Sequence, residues 1–149
     1  MNRSGGSLSE FQEMIRPPRP LSDLLDPERF APADGIADRL AREFGKDLNT
    51  TQLRKVFNRI KAMDRRLKSY GDEDELGGEI RGEISLLIPE LAYAAGRGTI
   101  PDGFYSLMKL LLDRNRLRTV GDFRRLVQFL TALLAYHKLY EKYEKKEGE

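Results

Sequence analysis

Five of the seven prolines, Pro17, Pro18, Pro20, Pro27 and Pro32, fall within the first 32 residues, and only Pro89 and Pro101 follow. Proline lacks a backbone donor and its ring clashes one turn back. It therefore interrupts helices and is excluded from central strands. The chain divides at this boundary. Residues 1–32, which also carry Gly5 and Gly6, are expected to form an extended or mobile arm. Leu21, Leu24, Leu25 and Phe30 give that arm apolar points for docking on a neighbour. Residues 33–149 are free to build long helices and are expected to form one domain.

Apolar residues recur at helical spacing throughout the second part. Ile36, Leu40 and Phe44 form one stripe that stops at Gly45. Asn49 and Thr50 offer caps to a second helix, with Leu53, Val56, Phe57, Ile60, Met63 and Leu67 on one face, ending near Gly71. A third carries Ile80, Ile84, Leu87, Ile88 and Leu91, runs to Gly96–Gly98 and is expected to bend at Pro89. Pro101 suits the start of a fourth, with Phe104, Leu107, Met108, Leu111 and Leu112 inward. Thr119 caps a fifth, whose inner face holds Phe123, Leu126, Val127, Leu130, Leu134 and His137. No segment sustains period-two alternation. The expected fold class is all-α: a compact five-helix bundle with an extended Pro-rich N-terminal arm.

Two helices carry more apolar surface than one buried stripe needs. The third adds Leu86 and Tyr93, and the fifth adds Phe129, Leu133, Tyr136 and Tyr140. Either both are central and buried all round, or a second face packs against another subunit.

Net charge is only +2, so the placement of charge says more than its sum. Arg54, Lys55, Arg59, Lys61, Arg65, Arg66 and Lys68 lie in one helix-length run against a single anion, Asp64. On a helical wheel Arg54, Lys61, Arg65 and Lys68 form one edge beside the apolar stripe, and Lys55, Arg59 and Arg66 form the other. The acidic stretch Asp72–Glu75 follows, and a second basic set comprises Arg114, Arg116, Arg118, Arg124 and Arg125. One reading is a solvated surface that neutralises itself within the fold. The other is a cationic edge that follows phosphates and releases their counterions. Phe57 and Phe123, the aromatics within these runs, sit at core positions. No stacking platform is expected there, and contact would be to the nucleic-acid backbone, indifferent to sequence. Arg97, between Gly96 and Gly98, either reaches such a backbone or complements the negative end of its own helix.

Catalysis has little to draw on. There is no cysteine, which excludes disulfides, thiolate metal sites and cysteine nucleophiles. His137 is the single histidine and is expected to be a buried, hydrogen-bonded core residue. The acidic stretch lacks the spacing of a calcium loop. No catalytic residue, cofactor or metal is expected. No apolar run approaches the ~20 residues of a membrane span, and the N-terminus lacks the apolar segment of a secretory signal. The expected location is the cytoplasm, with no membrane contact.

"IPELAYAAGRG", "FYSLMKLLL" and "FRRLVQFLTALLAYHKLY", with "TTQLRKVFNRIKAM" before them, resemble the small α-helical subunit of type III-A CRISPR effector complexes, the Csm small-subunit family. The resemblance covers about residues 48–143. It implies a non-catalytic protein that stacks in several copies beside the backbone and large subunits of a ribonucleoprotein. There it would contact guide and target RNA backbone in antiviral defence. Through "LRK" it puts Arg54 and Lys55 on the RNA side, and through "AAGR" it puts Arg97 there. His137 and Lys138 belong to "AYHK", and Lys138 joins the RNA-binding candidates. Arg59, Lys61 and Arg65 are added from helix geometry. Two other readings compete with this one: a helical protein–protein interaction module without direct nucleic-acid contact, and an RNase built on His137 and acidic residues.

Overall fold

Two of the long helices begin at a capping side chain, Asn49 and Thr119. The computed structural model describes residues 6–148. Its helices are α1 (Gly6–Ile15), α2 (Leu21–Leu24), α3 (Pro27–Phe30), α4 (Ile36–Phe44), α5 (Thr50–Arg66), α6 (Gly78–Gly96), α7 (Asp102–Leu111) and α8 (Val120–Gly148). A 3-10 turn, Gly45–Asp47, follows α4. No strand occurs among the described residues; an isolated bridge joins Glu75 and Thr119. The fold class is all-α, as expected.

The five expected helices correspond to α4 through α8. At the start of α5, Asn49 accepts from the Gln52 N–H at 3.0 Å. Thr119 caps α8 reciprocally. Its hydroxyl accepts from the Asp122 N–H at 3.2 Å, and the Asp122 carboxylate accepts from the Thr119 N–H at 3.0 Å. Pro101 stands immediately before α7. α6 continues through Pro89, which is exposed.

The count of five is too low, and the extended arm is not what residues 6–32 form. They make three helices and contribute Phe11, Ile15, Leu21, Leu25 and Phe30 to the core, each at most 1% exposed. The prolines begin only at Pro17, so residues 6–15 can propagate a helix. Pro20 and Pro27 then sit at or before the first turns of α2 and α3, where a missing N–H costs nothing. Asp26 caps α3 by accepting from the Glu28 N–H at 3.0 Å. The prolines punctuate helices here and do not prevent them. Residues 1–5 of the expected arm lie outside the described residues.

α8 is the axis of the molecule. It packs on α5, and its main stripe buries Phe123, Leu126 and Leu130. Its second apolar face meets α4 and the N-terminal helices. Phe129 stacks on Phe11 of α1 with centroids 4.8 Å apart and meets Phe30 of α3 edge-on at 5.5 Å. Tyr136 donates to the Ala31 carbonyl at 2.7 Å, and Tyr140 donates to the Asp38 carboxylate. Leu133 is fully buried. The surplus face of α8 is therefore covered by its own chain. On α6 the outcome is opposite: Leu86 is 60% exposed and Tyr93 is 70% exposed.

Candidate nucleic-acid interface

The two edges of α5 have different surroundings. Lys55, Arg59 and Arg66 face α6, which carries acids at matching positions. Arg59 pairs with Glu90. Arg66 forms a two-pronged pair with Glu83, at 2.9 and 2.6 Å, with Glu79 nearby at 3.9 Å. The hydrogen bond from Arg66 holds the Glu83 carboxyl below its ordinary pKa. The opposite edge carries Arg54, Lys61, Arg65 and Lys68, and none of these forms an ion pair among the described residues. Arg54, Arg65 and Lys68 are exposed, and Lys61 is half-buried. From Arg54 to Arg65 the rise is about 16 Å.

Arg97 is exposed at the end of α6. The helix closes through Gly98, at φ +78°, with the Gly98 N–H on the Ala95 carbonyl and the Thr99 N–H on the Ala94 carbonyl, both at 3.0 Å. This paired closure needs a left-handed residue, which is why glycine stands there. Gly96 lies inside the helix, and a side chain added there would meet nothing within 4 Å. The guanidinium of Arg97 lies 5.8 Å from the centre of the Tyr93 ring. Across from it, on α5, is Lys55. Together Lys55, Arg59, Tyr93 and Arg97 line a groove of about 790 Å³ between α5 and α6.

The seven candidates thus separate into groups. Lys55 and Arg97 come together on one side of α5. Arg54, Lys61 and Arg65 stand on the other. Arg59 lines the groove but is tied to Glu90. Lys138, on α8, pairs with Glu141 at 3.2 Å, and Glu141 also accepts from the Thr50 hydroxyl at the start of α5 at 2.7 Å. Tyr93 is the residue that the charge pattern does not reveal. It sits in an apolar set on a different helix, and only the packing of α6 on α5 brings an exposed ring beside the cations.

The second basic set is almost wholly consumed by the fold. Arg116, 8% exposed, donates from Nε to the Ile15 carbonyl at 2.7 Å, bonds the Arg16 carbonyl and pairs with Asp113 at 2.7 Å. Arg118 donates to Pro18 at 3.0 Å and to Asn115 at 2.6 Å. Arg125 bonds the carbonyls of Ser22 and Leu25. Arg124 closes the end of α5 through the carbonyls of Leu67 and Tyr70, and pairs with Asp72 at 2.5 Å. Arg114 is exposed without an ion pair among the described residues. Around the prolines the carbonyls of Pro17 and Pro20 are met by nearby N–H groups, and arginines of this set supply donors to the carbonyls of Ile15, Arg16 and Pro18.

Asp122 completes this clamp. Fully buried, it accepts from the Ser22 N–H and hydroxyl at 2.9 and 2.8 Å and from the N–H groups of Arg118 and Thr119 at 3.0 Å. Burial acts to raise its pKa, but the hydrogen bonds from Ser22, Thr119 and Arg118 outweigh it and hold the carboxyl below the ordinary aspartate value. His137 is 4% exposed; Nε2 lies 3.0 Å from the Gly45 carbonyl, and Nδ1 is buried without a partner among the described residues.

No helix is long and apolar enough to cross a membrane among the described residues. No curated protein and no solved structure matches the chain. The Csm2 Type III-A family model matches residues 29–143, a span that begins inside the Pro-rich segment and takes in both edges of α5, the groove and most of α8. The chain belongs to that family, the small subunits of type III-A CRISPR effector complexes.

Proposed function

We propose that the chain is a non-catalytic assembly subunit that holds RNA by its sugar-phosphate backbone without regard to sequence, as one of several copies lying side by side in the cytoplasm, in antiviral defence. One observation carries the reading. Among the described residues Arg54, Lys61 and Arg65 form no ion pair along a single helix edge, while Arg59 and Arg66 on the opposite edge of α5 and most of the set from Arg114 to Arg125 are spent on the molecule's own acids and carbonyls. Maintaining unpaired like charges in a row costs stability, and a polyanion that replaces their counterions recovers it. The other Csm subunits and sister copies are the protein partners.

The test is RNA retention by the complex across a salt series. Arg54→Ala with Arg65→Ala is expected to weaken binding about equally for unrelated RNA sequences and to flatten the dependence on salt. Retention equal to wild type at moderate salt would remove these residues from the interface.

A second reading, a protein-interaction module without nucleic-acid contact, draws on the exposure of Leu86 and Tyr93 on α6. It expects Leu86→Asp to block assembly while charge reversal at Arg54 and Arg65 changes nothing. Leu133→Asp cannot serve in that test, because Leu133 is in the core and its loss would act through folding.

A further inference from the structure

We infer that the α5–α6 groove takes an unstacked nucleobase onto the ring of Tyr93. This rests on the RNA reading above and adds to it a site for the base, where the charge pattern supports only backbone contact. Tyr93 is 70% exposed, an unusual position for a large aromatic side chain, and the Arg97 guanidinium lies over the ring 5.8 Å from its centre. It borders a cavity of about 790 Å³, within the range that accepts small organic ligands. The floor includes Val56, an apolar surface against which a flat ring can lie. Gln52 and Asn58 line the same groove and offer amide donors and acceptors for base edges.

The rim selects the ligand. Arg97, over the ring, and Lys55, which lines the same groove, form no ion pair among the described residues, so a nucleotide that seats its base on Tyr93 meets two cations for its phosphates. An apolar protein face at this spot would bury those same cations without partners, which is costly. The neighbouring acid, Glu90, is already neutralised by Arg59. Leu86 lies two turns away, about 10 Å along α6, and stays available to a protein neighbour. Stacking uses the π-face that every base has, so such a site remains indifferent to sequence.

The test uses the full chain and a single-stranded RNA 12-mer with a central 2-aminopurine, whose fluorescence falls when the base stacks. Wild type is expected to bind and quench. Tyr93→Ala should bind about tenfold more weakly, lose the quench and keep the salt dependence, while Tyr93→Phe keeps all three wild-type properties. Both substitutions are at an exposed position, and circular dichroism checks that the helices persist. If Tyr93→Ala binds and quenches like wild type while Arg54→Ala with Arg65→Ala weakens binding, the base site is overturned and the backbone reading stands. If wild type fails to bind the RNA at low salt, both fall. Weaker RNA binding by Tyr93→Ala accompanied by a lower sedimenting mass would assign Tyr93 to contact between copies and overturn the base site.

Discussion

The basic run on α5 and the basic set from Arg114 to Arg125 look alike in sequence, and the structure uses them in opposite ways. In the second set, Arg116, Arg118 and Arg125 satisfy carbonyls between Ile15 and Leu25, and Arg124 closes α5. The first three tie the segment that joins the N-terminal helices to the residues before and at the start of α8. On α5 Arg59 and Arg66, on the edge toward α6, pair with Glu90 and Glu83, and the edge of Arg54, Lys61 and Arg65 has no ion pair among the described residues. A count of cations does not distinguish structural charge from available charge. What distinguishes them is whether unsatisfied carbonyls or acids lie within reach.

The contrast is most exposed at Arg116. Arg116→Ala would remove a nearly buried guanidinium, leave the Ile15 and Arg16 carbonyls without that donor and break the ion pair with Asp113. The expected cost is about 3 kcal/mol, or about 9 °C in thermal midpoint for a chain of this size. A midpoint within about 2 °C of wild type in a calorimetric scan would contradict the clamp. Asp122→Asn comes next, at about 2 kcal/mol near neutral pH, because an amide cannot accept all four hydrogen bonds as a carboxylate does. The sign with pH follows from the depressed pKa. The carboxylate's contribution is complete above the ordinary aspartate value near 4 and is lost as pH falls through the lower folded value. The variant should therefore differ most from wild type at neutral pH and converge on it in acid, as followed by urea unfolding from pH 7 to pH 2. A constant difference would assign the effect to packing alone.

On the other side of the contrast, Arg54→Ala with Arg65→Ala should leave stability within about 0.5 kcal/mol. RNA affinity should fall about tenfold at moderate salt, with a logarithmic salt slope smaller by roughly 1.4 for two lost phosphate contacts. Filter binding with two unrelated sequences measures both. The smallest effect is expected for Glu90→Gln. It releases Arg59 toward the groove, at a stability cost of less than about 1 kcal/mol for an exposed pair. RNA should then bind about twofold to threefold more tightly. Weaker binding would mean that Glu90 positions Arg59 for RNA and does not merely neutralise it.

Much of this molecule is legible in its sequence. The apolar spacing of α4, α5, α7 and α8, the Asn49 and Thr119 caps and the glycine stop after Arg97 are local features. Each is decided by residues within a turn or two, so a single sequence carries them. The N-terminal helices are hidden when proline density is taken as a property of the whole segment. Residues 6–15 contain no proline and carry Leu8, Phe11, Met14 and Ile15 at helical spacing, a signal available in the sequence. The surplus apolar residues of α8 cannot be assigned from periodicity, which reveals a second face but not its partner. That partner, Phe11 and Phe30, lies about a hundred residues away.

By itself the sequence determined the helical class, the caps and stops, the basic edge on α5 and, through its motifs, the family. Tertiary packing alone decided which arginines remain available, that the Pro-rich segment is built into the core, and that Tyr93 stands open beside Lys55 and Arg97. The reason is one of range. Helix formation is governed by hydrogen bonds four residues apart, whereas the state of a charge or an aromatic face depends on what another part of the chain brings against it.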